Sequence, residues 1–185
     1  MQMEVYDSLG MMVMAESFDM WEYPKCKNGY ARFFRSWADR DIRNLVCSSR
    51  LHPSLVMWSV GNEIPEQSSA EGTKILRHLQ DLVRFYDPTR PVTTGMDRGE
   101  AALKSGFAHV VDVPGMNYRT QLYSKMNDQL GHGFILGSET ASTVSSRGVY
   151  KFPVVRVDGK AYDDGQCSSY DMEACWWSNI PEDDW

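Results

Sequence analysis

The 185-residue chain contains no run of eighteen apolar residues, so no segment is long enough to cross a bilayer as a helix. It has no basic stripe either. Nineteen Lys and Arg against 25 Asp and Glu leave a formal charge of -6, with both signs interspersed. Nucleic-acid binders concentrate cations on one face, so a nucleic-acid partner is not expected. Cysteine is scarce. Cys26, Cys47, Cys167 and Cys175 form no CxxC pair and no zinc spacing with the four histidines. Nor do four cysteines make a disulfide framework in a chain of this length; they read as small buried or partly buried thiols. Neither GxGxxG nor GxxxxGKS/T occurs, which argues against nucleotide chemistry. The N-terminal MQMEVYDSLG lacks the basic start and long apolar run of a signal peptide. It reads as the interior of a domain, and the terminal IPEDDW shows no helix or strand end. Both ends suggest a fragment; periplasmic, secreted and cytoplasmic addresses stay open.

What the chain does have is core-forming material. It is 42% hydrophobic, with six Trp, nine Tyr and seven Phe, too rich in large apolar residues for disorder. Short apolar runs alternate with helical periodicities. Strands are expected at Leu9–Ala15, Ser54–Val60, Pro91–Thr94, Val110–Val113 and Gly133–Gly137. Helices are expected over residues 30–50, with Phe34, Ala38, Ile42, Leu45 and Val46 near one face, and over 71–86, with Ile75, Leu79, Leu82, Val83 and Tyr86 on the 3.6 period. Asp87-Pro88 ends the second of these. Shorter helices fit 99–107 and the stretch carrying Leu122, Tyr123, Met126 and Leu130. Trp58 lies inside a strand and reads as core.

Repeated βα units build either an open doubly wound sheet or a barrel, and periodicity does not separate the two. The polar residues favour the barrel. Glu16-Ser17, Asn62-Glu63, Asn117-Tyr118-Arg119 and Ser138-Glu139 all follow strands, and chemistry drawn from several strand ends is the barrel habit. Glu63 follows VMWSVGN and Glu139 follows FILGS, so each stands at a strand mouth. Apolar surroundings disfavour the charged form and suit Glu63 to a general acid. The hydroxyls and Arg of TASTVSSRG after Glu139 suit an ionised nucleophile. Glycoside hydrolysis needs this division: one carboxyl protonates the leaving oxygen while the other attacks or activates water.

Five blocks in order resemble family two of the glycoside hydrolases, the β-galactosidase and β-glucuronidase family. They are LGMMVMAESFDMWEYPK (9–25), HPSLVMWSVGNEIPE (52–66), DPTRPVTTG (87–95), VDVPGMNYR (111–119) and ILGSETAST (135–143), and the resemblance spans nearly all of residues 1 to 150. It implies an α/β fold, a partial TIM (β/α)8 barrel comprising roughly strands three to seven. The whole of 1–185 then reads as one incomplete catalytic domain with 145–185 as a long loop region. The N-terminal β-sandwich domains, the first two strands and the eighth strand would be absent. Carried over by position, Glu63 matches the acid/base and Glu139 the nucleophile. Asn62 matches the residue at the sugar 2-hydroxyl, and Tyr118 the tyrosine beside the nucleophile. Asp19, Trp21 and Arg119 are candidates for the pocket wall. Glu16 fits a buried ion-pair partner, with Arg119 one option.

The resemblance implies hydrolysis of a terminal non-reducing β-D-galactoside, or a related β-glycoside, by a retaining double displacement in a longer parent rather than in this stretch alone. β-Glucuronidase, β-mannosidase and exo-glucosaminidase specificities stay open, as does assembly of the parent into an oligomer. No cofactor is required and no metal ligands are assigned, although some members of the family use Mg²⁺ or Na⁺. The rival readings are a barrel hydrolase of inverting mechanism and a non-catalytic carbohydrate-binding or structural fragment. The separation of the two carboxyl groups discriminates among them.

Overall fold

The computed structural model describes residues 2–119, 122–131 and 133–140. The long loop region expected at 145–185 lies outside them. Five strands alternate with helices: α1 (Gln2–Leu9), β1 (Val13–Glu16), α2 (Ala31–Ser49), β2 (Leu55–Asn62), α3 (Ala70–Tyr86), β3 (Val92–Met96), α4 (Gly99–Ser105), β4 (Val113–Asn117), α5 (Tyr123–Leu130) and β5 (Leu136–Glu139). All neighbouring strands pair in parallel, in the chain order β1-β2-β3-β4-β5. The result is half of a (β/α)8 barrel with its helices along it, as expected.

The helices form where sequence periodicity demands a buried stripe. In α2, Phe34, Ala38, Ile42 and Val46 recur every four residues and are all buried. Its neighbour α3 begins at an N-cap, Ser69, whose hydroxyl accepts the Gly72 N–H at 3.0 Å, and it ends at Asp87 before Pro88. These stripes join Leu55, Trp58, Val60, Val92, Met96 and Met116 from the strands in one core, where each fully buried large side chain contributes about 1.5–3 kcal/mol. Trp58 is in that core as expected, its indole N–H satisfied by Asp87 Oδ2 at 3.0 Å. On β1, Val13 and Ala15 pack against the core while Met14 and Glu16 alternate onto the other, exposed face.

Several boundaries differ from expectation. Leu9 closes a helix instead of opening a strand, and β1 starts only at Val13. Val110 and Val111 follow a short 3-10 turn (Phe107–His109), and β4 runs through Pro114-Gly115, which reads as a turn in the sequence. Gly115 is needed there for close approach: a Cβ on it would stand 2.6 Å from the Thr94 carbonyl oxygen. β5 begins three residues later than expected, at Leu136. Cys26 and Cys47 are free and exposed rather than buried, because both lie on solvent-facing positions of the loop after β1 and of α2.

Candidate active site

The register places the polar residues at one end of the sheet. Asn62 pairs with Gly95, Gly95 with Gly115, and Asn117 with Glu139, so the last residues of β2, β4 and β5 converge. Glu63 is one residue beyond β2 and Tyr118 one beyond β4. Both adopt left-handed backbone conformations, with φ of 47° and 55°, and Arg119 follows at 53°. Each such non-glycine residue costs on the order of 1 kcal/mol or more, and strain of this kind collects where a side chain must be aimed. The Glu63 N–H is anchored on the Gly95 carbonyl at 2.8 Å.

Asn117 is the hub. Its Nδ2 lies 2.8 Å from Asn62 Oδ1, 3.0 Å from Glu63 Oε1 and 2.9 Å from Glu139 Oε1. Ser138 Oγ donates to Asn117 Oδ1 at 2.7 Å, which turns the NH₂ end toward the carboxylates. The two bond lengths to Glu63 and Glu139 cap the separation of those two oxygens at their sum, 5.9 Å. The Tyr118 hydroxyl donates to the other oxygen, Glu139 Oε2. The hub exists because Gly95 has no side chain: a Cβ there would lie 2.8 Å from both Asn62 Oδ1 and Asn117 Oδ1.

The electrostatics are asymmetric. Desolvation pushes the Glu63 carboxyl above the usual carboxylate range; the negative charges of Asp97 and Glu139 add to this, while the Asn117 bond and Lys25 oppose it. Burial first, and then the bond to Glu139, raises the Tyr118 phenol. Glu16, which keeps an open side to solvent, is raised by desolvation and by Asp19 and Glu139, against a 2.7 Å bond from Ser59 Oγ.

Of the residues singled out from sequence, the structure brings Glu63, Glu139, Asn62 and Tyr118 together. Asp19 stands at the rim, exposed and paired with Lys25 Nζ at 3.0 Å. Trp21 is not a pocket wall. It is 0% exposed, packs against Phe34 and Phe107, and donates its indole N–H to the Val60 carbonyl at 2.9 Å, so neither ring face is open to a sugar. Arg119 is exposed, and its charge acts on Glu100 of α4. An ion pair between Glu16 and Arg119 does not occur among the described residues; Ser59 partners Glu16 instead. Sequence reasoning missed Asn117 and Ser138 as a hub, although both sit in the strand-end blocks. It also missed Lys25, whose ammonium reaches the Asn62 carbonyl at 2.7 Å and for which no spacing signal exists.

Among the described residues no group of three or more His, Cys, Asp or Glu is arranged to hold a metal ion. At the cleft, the Lys25 ammonium bridges the Asp19 carboxylate and the Asn62 carbonyl.

Known proteins carry the same arrangement of strands. The chain is 30% identical over 223 residues to Beta-galactosidase BoGH2A of Bacteroides ovatus, an alignment that takes in 98% of this chain and 26% of that protein. A 52-residue stretch, 28% of the chain and 9% of the relative, is 38% identical to a beta-glucuronidase of Paenibacillus borealis. The crystal structure of a glycosyl hydrolase family 2 member from Bacteroides cellulosilyticus superposes with a TM-score of 0.71 at 36% identity, covering 76% of this chain and 18% of that one. The chain thus spans about a quarter or less of the length of these relatives. Residues 1–142 match the domain described as "Glycosyl hydrolases family 2, TIM barrel domain", and the chain belongs to that family.

Proposed function

We propose that this chain carries the catalytic pair of a retaining β-glycosidase acting on terminal, non-reducing β-D-galactosides. The observation that carries the reading is the shared Asn117 amide, which holds one oxygen of Glu63 and one of Glu139 within 5.9 Å. Retaining sites separate their carboxyl groups by about 5–5.5 Å and inverting sites by about 6.5–9.5 Å. Glu139, oriented by Asn117 and Tyr118, attacks the anomeric carbon. Glu63 gives its proton to the leaving oxygen as the glycosidic bond breaks. A glycosyl ester forms on Glu139. Glu63, now ionised, takes a proton from water as that water attacks the anomeric carbon, and Glu139 departs as a carboxylate. Asn62, fixed through Asn117 and Lys25, faces the sugar 2-hydroxyl, where contacts strengthen in the transition state.

Two observations favour a neutral sugar. BoGH2A, the relative aligned over nearly the whole chain, is a β-galactosidase by name. Among the described residues the mouth holds the carboxyls of Glu16, Asp19, Glu63, Asp97 and Glu139, and its one ammonium, Lys25, is already paired with Asp19. A uronate would meet net negative charge. The test is turnover of aryl β-D-galactosides and β-D-glucuronides by the full-length gene product, with NMR of the first anomer released. Galactoside cleavage yielding the β-anomer is expected. Release of the α-anomer overturns retention, and preference for the glucuronide overturns the sugar assignment.

A further inference from the structure

Beside the carboxylate pair lies a buried polar cage that the proposed reaction does not use. Gln67, 1% exposed, sits in a 3-10 turn (Pro65–Ser68) four residues after Glu63. Its Nε2 donates to the Ile64 carbonyl at 2.8 Å and to Asp97 Oδ1 at 2.6 Å. Its Oε1 accepts the Arg98 N–H at 3.0 Å, and its own carbonyl accepts Ser105 Oγ at 2.7 Å. One side chain therefore ties the residue after Glu63 to the first residue after β3. A buried amide with every polar atom engaged is rigid, and it pins whatever it holds. What it holds is a carboxylate, Asp97, whose other oxygen lies 3.6 Å from Arg98 Nε and whose side chain is about three-quarters buried.

We propose that Asp97 is a positioning residue for Glu63: the Gln67 amide that clamps it also holds the carbonyl of Ile64, the residue after Glu63, so Asp97 is fixed on the wall of the cleft and acts on the acid/base through its carboxylate. The inference rests on the reading of Glu63 as acid/base. The groups around Glu63 come from four elements. Asp97 after β3 and Glu139 on β5 favour its proton, Asp97 more strongly. Lys25, from the loop after β1, opposes it. From β4, Asn117 donates a hydrogen bond to Glu63, and the Tyr118 phenol beyond it stays protonated. Asp97 differs from Glu139 in one respect that matters for a two-step reaction. Glu139 is esterified in the first step, whereas Asp97 forms no bond to the sugar at any step.

The experiment is the pH dependence of kcat/KM in the full-length gene product on an aryl β-galactoside, comparing wild type with Asp97→Asn, Asp97→Ser and Asp97→Glu. Removing a negative charge lowers the proton affinity of Glu63, so the alkaline limb moves to lower pH. A shift of about half a pH unit is the scale expected for a charge pair at a partly solvated site. Asp97→Asn and Asp97→Ser should both show it, and the serine variant leaves Gln67 an acceptor if the amide perturbs the loop. Asp97→Glu restores the charge and should return the limb toward wild type. A structural role alone would lower kcat/KM at every pH and leave the limb in place; that result overturns the inference. Separately, Glu63→Ala with full activity would overturn the acid/base reading itself.

Discussion

A Cβ on Gly95 would stand 2.8 Å from Asn117 Oδ1, so the amide that joins the two carboxylates depends on a missing side chain in the neighbouring strand. Gly95→Ala forces Asn117 or the strand to move. Overpacking of this kind costs about 1–3 kcal/mol, and about 2–4 °C in Tm per kcal/mol for a domain of this size. The thermal transition should fall accordingly, and kcat/KM should fall with it. A variant with wild-type activity would show that the hub is not required.

Asn117→Leu keeps roughly the volume and removes the amide. Hydrogen bonds to charged groups are worth about 1.5–3 kcal/mol, so kcat/KM should drop by about ten- to a hundredfold, the loss falling on kcat. Asn117 is buried, and its loss also strands Ser138 and Asn62, so a lower denaturant midpoint is expected alongside. A change confined to KM would place Asn117 in substrate binding alone.

Tyr118→Phe leaves the ring in place and takes away only the hydroxyl that Glu139 Oε2 accepts. The fold should survive within about 1 kcal/mol, while kcat falls by about tenfold or more as Glu139 loses its orientation. Steady-state kinetics with a Tm control would check this. Unchanged kcat would remove Tyr118 from the machinery.

Asp87 makes a prediction about acid stability. It is 3% exposed, and burial pushes its carboxyl up, but bonds from the Thr89 hydroxyl and N–H, the Trp58 indole and Arg90 outweigh burial and bring it down to about 2. Its unfolded value is near 3.8. A depressed folded value contributes stability above pH about 4, here about 2 kcal/mol, which is lost as the pH falls through about 2. Denaturant midpoints measured from pH 6 to pH 2 should therefore fall most steeply below pH 4, and Asp87→Asn should flatten that fall while lowering stability at pH 7. Parallel curves for the two proteins would exclude this linkage.

The long amphipathic helices α2 and α3 were legible because their buried stripes repeat every three to four residues. The strand expected at Ser54–Val60 was legible as an unbroken apolar run, from which Leu55, Trp58 and Val60 enter the core. Strand ends were harder. Pro114-Gly115 has turn chemistry, yet tertiary pairing with Thr94 and Gly95 carries β4 through it. The N-terminal α1 buries no residue and so left no stripe to read. At the site, the carboxylates were readable as charged residues following apolar strands. Asn117 as their shared donor was not, because that depends on a side-chain contact across three strands. Trp21 failed for the opposite reason: an aromatic in a loop looks available to a ligand, and only packing shows it facing inward.

The sheet order repeats the chain order, β1 to β5, each strand pairing with the one made just before it. Among these five strands, a polypeptide emerging from the ribosome can therefore dock each βα unit onto the neighbour made before it. Glu63 is in place early on such a route, but Glu139 ends the last of these strands. The Asn117 hub, which bonds to Asn62, Glu63 and Glu139, can therefore close only once the last of these five strands has docked.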